Sequence, residues 1–190
     1  MEQVEELLLV DVAAWAEWLS VEHVQSGPVW LVLAKKGVVE PTRLTYDEAL
    51  EEALCHGWID GQVRRRDERT FRQRFTRRRP RSAWSKRNVG IAERLIREGR
   101  MRPACAAEIE RARADGRWEA AYAGAASIEV PAELASALAA DPAAGEAFAA
   151  LSGQNRYAIL YRIATARQAK TRTRRIEQFT AMLARGETIH

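Results

Sequence analysis

The chain has 190 residues, 47% hydrophobic and 29% charged, a balance that allows a sizeable core and argues against long disorder. No apolar run approaches the roughly 20 residues of a membrane-crossing helix, and the short run Leu7 to Val10 follows an acidic start, which argues against a secretory signal. The net charge of +4 hides an asymmetry: Arg64 to Arg102 carries 16 Lys/Arg against 4 Asp/Glu, a local +12, which leaves −8 for the remainder. So dense a basic block points to an anionic partner, or to a strip neutralised by the chain's own acids.

Residues 11 to 24 place Val12, Trp15, Ala16, Leu19 and His23 on one helical stripe, and Gly27-Pro28 ends it. "VWLVLAKK", 29 to 36, reads as a buried strand. In "LTYDEALEEALCHG" Thr45 and Glu48 form a capping box, apolar residues recur at helical spacing, and Gly57 sits at the stop. "WIDGQVRRR" and "TFRQRFT" follow as two strands around the turn "DER". Pairing 64 with 72 and 62 with 74 puts Ile59, Val63, Phe71 and Phe75 on one face. The other face receives Asp60, Gln62, Arg64, Arg66, Arg72 and Arg74. Like charges across a sheet repel, so that face should meet solvent, acids or an anion.

Beyond Pro80 the pattern turns helical. Ser82 or Ser85 caps a helix with a Val89/Ala92/Leu95/Ile96 stripe that stops at Gly99, and a second helix starts at Pro103. After Gly116 the sequence is alanine-rich, Pro131 and Pro142 mark helix starts, and "NRYAILYRIATA" and "KTRTRRIEQFTAMLARG" are the last two helices. The expected fold is α+β: a small antiparallel sheet of about three strands packed with helices, then an all-helical region. The expected division is 1–120 and 121–190.

The ordered phrases "ALCHGWIDG", "FTRRRPRSAWSKRNV", "LIREGRM", "ADGRWEAAY", "LSGQNRYAIL" and "TRTRRI" resemble the YdeI/OmpD-associated (OmdA) family, which also carries a bacteriocin-protection label. The resemblance spans roughly 15 to 186. It implies an α+β N-terminal part, a helical C-terminal region and a role in stress or antimicrobial-peptide protection. It implies no particular reaction. Arg77 stands where the family often has Pro, and Cys105 where Gly is common.

Cys55, His56 and Asp60 form the tempting chemical cluster. Neighbouring helical positions point about 100° apart, so Cys55 and His56 are not expected to pair, and both read as structural. Two cysteines are too few for a disulfide scaffold, and no His/Cys spacing suits a metal, so no cofactor or metal is expected. These features suit a cytoplasmic protein with reduced thiols. Asp60 is expected on the arginine face, as counterion to Arg74 or as the residue that orients a ligand-gripping arginine.

Misplaced charge is the stronger signal. Helix N-termini favour acids, yet Lys86 and Arg87 follow Ser85, and Arg172, Arg174 and Arg175 follow Thr171. A docked anion would turn both starts favourable. The expected anion-binding residues are therefore Asp60, Arg79, Arg81, Ser82, Trp84, Ser85, Asn88, Arg172 and Arg175, with Trp58, Arg74, Arg156 and Tyr157 as secondary ones. The expected activity is non-catalytic binding of a small anion or acidic partner. The alternatives are an enzyme on a small phosphorylated or carboxylated substrate and a nucleic-acid binder, though no recognised nucleic-acid motif is present. Oligomeric state is not readable.

Overall fold

The structure is a computed structural model that describes residues 5–22, 25–166 and 168–189. The chain divides into two compact units. The first comprises residues up to 84 together with 88–120, and the second residues 85–87 with 121–190. His23, expected on the first helical stripe, lies outside the described residues.

In the first unit β1 (Glu5–Leu7), β2 (Val29–Ala34), β3 (Trp58–Arg65) and β4 (Thr70–Arg77) form one sheet in the order β1-β2-β4-β3. β1 is an addition to the three expected strands, and it runs parallel to β2 while the other pairs are antiparallel. The helices are α1 (Val12–Glu22), α2 (Tyr46–Cys55), α3 (Lys86–Arg97) and α4 (Pro103–Ala114). The α+β class is as expected.

Alternation divides the sheet's side chains. Val29, Leu31 and Leu33 share a face with Phe71 and Phe75 and join the helices in one core with Trp15, Leu19, Leu50 and Trp58. Trp15 stacks on Trp18 at 5.1 Å and meets Trp58 edge-on at 6.4 Å, while its indole N–H donates to the Ala49 carbonyl at 3.1 Å. The bulky rings thus bury without leaving that donor unpaired. The opposite face holds Trp30 and Val32 of β2, Arg72 and Arg74 of β4, Arg64 of β3 and Glu6 of β1.

The hairpin register departs from the uniform one expected. Arg64 does oppose Arg72, but Asp60 opposes Phe75 and Val63 opposes Gln73, with one extra β3 residue between. That bulge places Asp60 on the helix side and Ile59 on the other face, opposite Thr76. Val63, expected with the apolar set, is 64% exposed.

The second unit holds α5 (Ala132–Ala140), α6 (Pro142–Ala149), α7 (Gly153–Ala164) and α8 (Ala169–Ala184). Their core centres on Leu134, Phe148, Ile159, Leu160, Ile163 and Ile176. Asp141 caps α6, with Pro142 in its first turn, and Ser152 caps α7. Gly145 permits a close approach, since a Cβ there would lie a tight 3.1 Å from the Leu138 carbonyl oxygen.

Candidate functional site

The Cys55–Asp60 stretch resolves into structural parts. The Thr45/Glu48 capping box starts α2, and Gly57, at φ 75°, releases the chain into β3. Cys55 is structural, as expected: it is 1% exposed and belongs to the main core. Burial pushes its thiol up to about 11, and does the same to Cys105. Both are thereby held as thiols at neutral pH, the unreactive form. His56 places Nδ1 3.0 Å from the Glu52 carbonyl one turn back and 3.6 Å from the Glu52 carboxylate. Trp58, a secondary ligand candidate, is fully buried among Trp15 and Trp18. Asp60 is not the counterion of Arg74, because the bulge turns it to the helix side, where it accepts a 2.8 Å hydrogen bond from the Tyr46 hydroxyl.

The arginines collect on the far sheet face instead. Arg64 lies directly opposite Arg72, and Arg74 opposite Trp30. The Arg64 guanidinium sits 4.5 Å from the centre of the Trp30 ring, which is 7% exposed. Glu6 is the acid here: it takes Arg72 Nη1 at 3.1 Å and Arg66 Nε at 3.1 Å. Among the described residues neither Arg64 nor Arg74 reaches a carboxylate. The Nε–H groups of Arg72 and Arg74 are both buried, with no acceptor among the described residues. Glu6 and Trp30 escaped sequence reading. A three-residue strand has too few positions to show alternation, and Trp30 sits in a continuous apolar run.

The loop from Arg78 to Trp84 is anchored, not free. Trp84 is fully buried, with the Arg78 guanidinium 3.7 Å from its ring centre and Trp118 edge-on at 4.7 Å. Arg117, 4% exposed, donates to Glu108 at 2.8 Å, to Asp115 at 2.8 Å and to the Ser82 carbonyl at 3.1 Å. Burial raises the Glu108 carboxyl, but hydrogen bonds from Arg117 and Arg111 outweigh it and leave the carboxyl below its ordinary value. Trp84 thus packs inside the first unit, where its indole N–H meets no acceptor among the described residues. Arg79 and Arg81 are exposed on this loop, and Arg81 takes φ 69°, a left-handed conformation uncommon for a branched-free side chain other than glycine or asparagine. Ser85 is half-buried and bridges to Tyr122, and Asn88 is buried in α3. Lys86 and Arg87 do occupy the first turn of α3, which holds no acid.

In the second unit α8 begins at Ala169, with Gln168 as its cap, not after Thr171. Lys170 and Arg172 remain in the first turn, while Arg174 and Arg175 move into the second, where the pull of the helix dipole has largely faded. Arg175 Nη1 donates to the Arg162 carbonyl in the last turn of α7. That contact satisfies a carbonyl near the C-terminal end of α7. Arg172 lines an open cavity of about 370 Å³ with Glu133, Ile176 and Glu177, and its Nη1 stands 3.7 Å from Glu133. Arg156 lies over the Phe148 ring at 4.7 Å, and Tyr157 packs against Tyr161 at 5.8 Å. Burial, and then Tyr161, push the Tyr157 phenol up.

Among the described residues no group of three or more His, Cys, Asp or Glu gathers to hold a metal, and no helix is long and apolar enough to cross a membrane. Residues 7–108, over half of the chain, match the family described as Domain of unknown function (DUF8412). The chain belongs to that family. Residues 127–186 match the family described as Bacteriocin-protection, YdeI or OmpD-Associated, so the resemblance to OmdA holds for the helical second unit. "ALCHGWIDG", "FTRRRPRSAWSKRNV" and "LIREGRM" fall within the DUF8412 match instead. No curated protein and no solved structure matches the chain.

Proposed function

We propose that this DUF8412–OmdA protein is a non-catalytic binder of anions or acidic partners that acts in stress or bacteriocin protection. One observation carries the reading: the basic block is only partly neutralised. Arg66, Arg72, Arg94 and Arg100 pair with Glu6, Asp67, Glu51, Glu52 and Glu98. Arg64, Arg69, Arg74, Arg79, Arg81 and Arg97 of the same segment have no carboxylate partner among the described residues. Uncompensated arginines in one segment repel each other and gain from an anion. The description of the OmdA family supports the protective role. The raised thiols of Cys55 and Cys105 support binding over nucleophilic chemistry.

The test is thermal unfolding with sulfate, phosphate, nucleotides and short DNA at two salt concentrations. The reading expects stabilisation by anions that shrinks at high salt. If no anion raises the melting temperature at low salt, the reading fails.

A further inference from the structure

We propose that Arg64, Arg72 and Arg74, on the sheet face turned away from the helices of the first unit, form a binding site for linked phosphates, such as a di- or triphosphate group. The proposal rests on the reading of the protein as an anion binder and gives it a place and a ligand class.

Three independent features of this face converge. The first is register. Antiparallel pairing sets Arg64 directly against Arg72, and Arg74 stands two residues along the same strand, so three guanidinium groups share one face. Directly opposed like charges destabilise a sheet unless something lies between them. The second is the shortage of acid. Glu6 is already divided between Arg66 and Arg72, and neither Arg64 nor Arg74 has a carboxylate among the described residues. The third is hydrogen bonding. The Nε–H donors of Arg72 and Arg74 are both buried and meet no acceptor among the described residues. Buried donors are nearly always paired, so two such donors side by side call for acceptor atoms that the described residues do not supply.

The chemistry of the missing acceptor follows. Arginine presents a planar fork that matches two oxygens of a phosphate. Three forks spread over neighbouring strands need more acceptors than one carboxylate can supply, and linked phosphates supply them. The site is also ordered in advance. The Arg64 guanidinium rests on Trp30 at 4.5 Å, and Val32 and Thr70 of the same face are fully buried. Little side-chain freedom is then lost on binding. The same cover argues against single-stranded nucleic acid, which needs exposed rings for base stacking. Trp30, at 7% exposure and capped by Arg64, offers none.

Titration calorimetry on the full chain tests this with tripolyphosphate, ATP, inorganic phosphate and a ten-residue oligothymidylate. Tripolyphosphate and ATP should bind alike, since the shared triphosphate is what is recognised, and inorganic phosphate should bind more weakly. Tighter binding of ATP alone would place recognition in the nucleoside and overturn the proposal. Tighter binding of the oligonucleotide would overturn it in favour of nucleic acid. Arg72→Gln and Arg74→Gln should each weaken tripolyphosphate binding by ~10-fold or more, from the loss of a charge-assisted hydrogen bond. Arg185→Gln, at an exposed arginine of the second unit that pairs with Glu187, should leave it unchanged. If the wild type binds and Arg79→Gln or Arg81→Gln loses binding while Arg74→Gln does not, this site is wrong although the anion reading survives. If the wild type binds none of the anions, the reading itself falls. Should a sheet variant not fold, the indole N–H NMR signal of Trp30 in the wild type decides, assigned with Trp30→Phe. It should shift on adding tripolyphosphate, and an unmoved signal alongside calorimetric binding overturns the placement.

Discussion

A single extra residue between Asp60 and Val63 decides what Asp60 meets. Without it the carboxylate would lie on the face of Arg74, opposite Thr76; with it the partner is the Tyr46 hydroxyl. Tyr46→Phe should therefore cost about 1 kcal/mol, the worth of one such hydrogen bond, in urea unfolding. An unchanged midpoint would show the contact contributes nothing. Asp67 is the other carboxylate with a decided place. It accepts from the Thr70 hydroxyl and from the backbone N–H groups of Arg69 and Thr70, which hold it at about 2 against an ordinary 3.8. A lowered carboxyl stabilises the fold above its unfolded value and loses that contribution as pH falls through the folded one. The β3–β4 turn should therefore weaken as pH drops from 3.8 toward 2, and Asp67→Asn should flatten that part of the stability–pH curve. The thiols lie at the opposite extreme. With Cys55 and Cys105 buried and raised to about 11, an aromatic disulfide reagent at pH 7.5 should label neither in the native protein within minutes and both after unfolding in guanidinium.

At the scale of elements, caps and stops govern how the site face is presented. Gly57 ends α2 at φ 75°, and a Cβ added there would meet only Cys105 at 4.0 Å, so the cost of Gly57→Ala is conformational. It should lower stability by about 1–2 kcal/mol in a denaturant titration. α4 is tied to the loop before α3 through Arg117 and Glu108, a buried pair joined at 2.8 Å. Removing one partner leaves the other charge uncompensated, so Arg117→Met should cost about 3–5 kcal/mol. Arg117→Met with Glu108→Leu should recover much of that loss. A double variant no better than the single would show that the loop contacts, not the charge pair, carry the stability. The lowered Glu108 carboxyl adds a pH signature: its contribution is present above its unfolded value and fades as pH falls through the folded one.

At the scale of the molecule, the two cores share no residue. Leu50 and Leu160 are each buried in their own cluster, so Leu50→Ala and Leu160→Ala should each cost about 2–5 kcal/mol in the unfolding of their own unit. The charge asymmetry also belongs to this scale. A chain of net +4 with +12 confined to 64–102 presents locally a far stronger field than its total implies.

Local chemistry was open to sequence reading because it depends on near neighbours. The Thr45/Glu48 box, the stop at Gly57, the proline-led starts of α4 and α6 and the arginine alternation of β4 all stand as their spacing implied. Each needs only a few consecutive residues to take one conformation. The three-residue β1 was not legible, because its structure comes from pairing with β2 more than 20 positions away. The same holds for the bulge, which exists only as a mismatch between two strands, and for the engagement of Arg175 by a carbonyl on another helix. Sequence by itself settled most of the helices, the three longer strands and where positive charge is concentrated, through periodicity and composition. Only tertiary structure decided which arginines keep an acid and which do not, because an ion pair depends on distances set by distant parts of the chain.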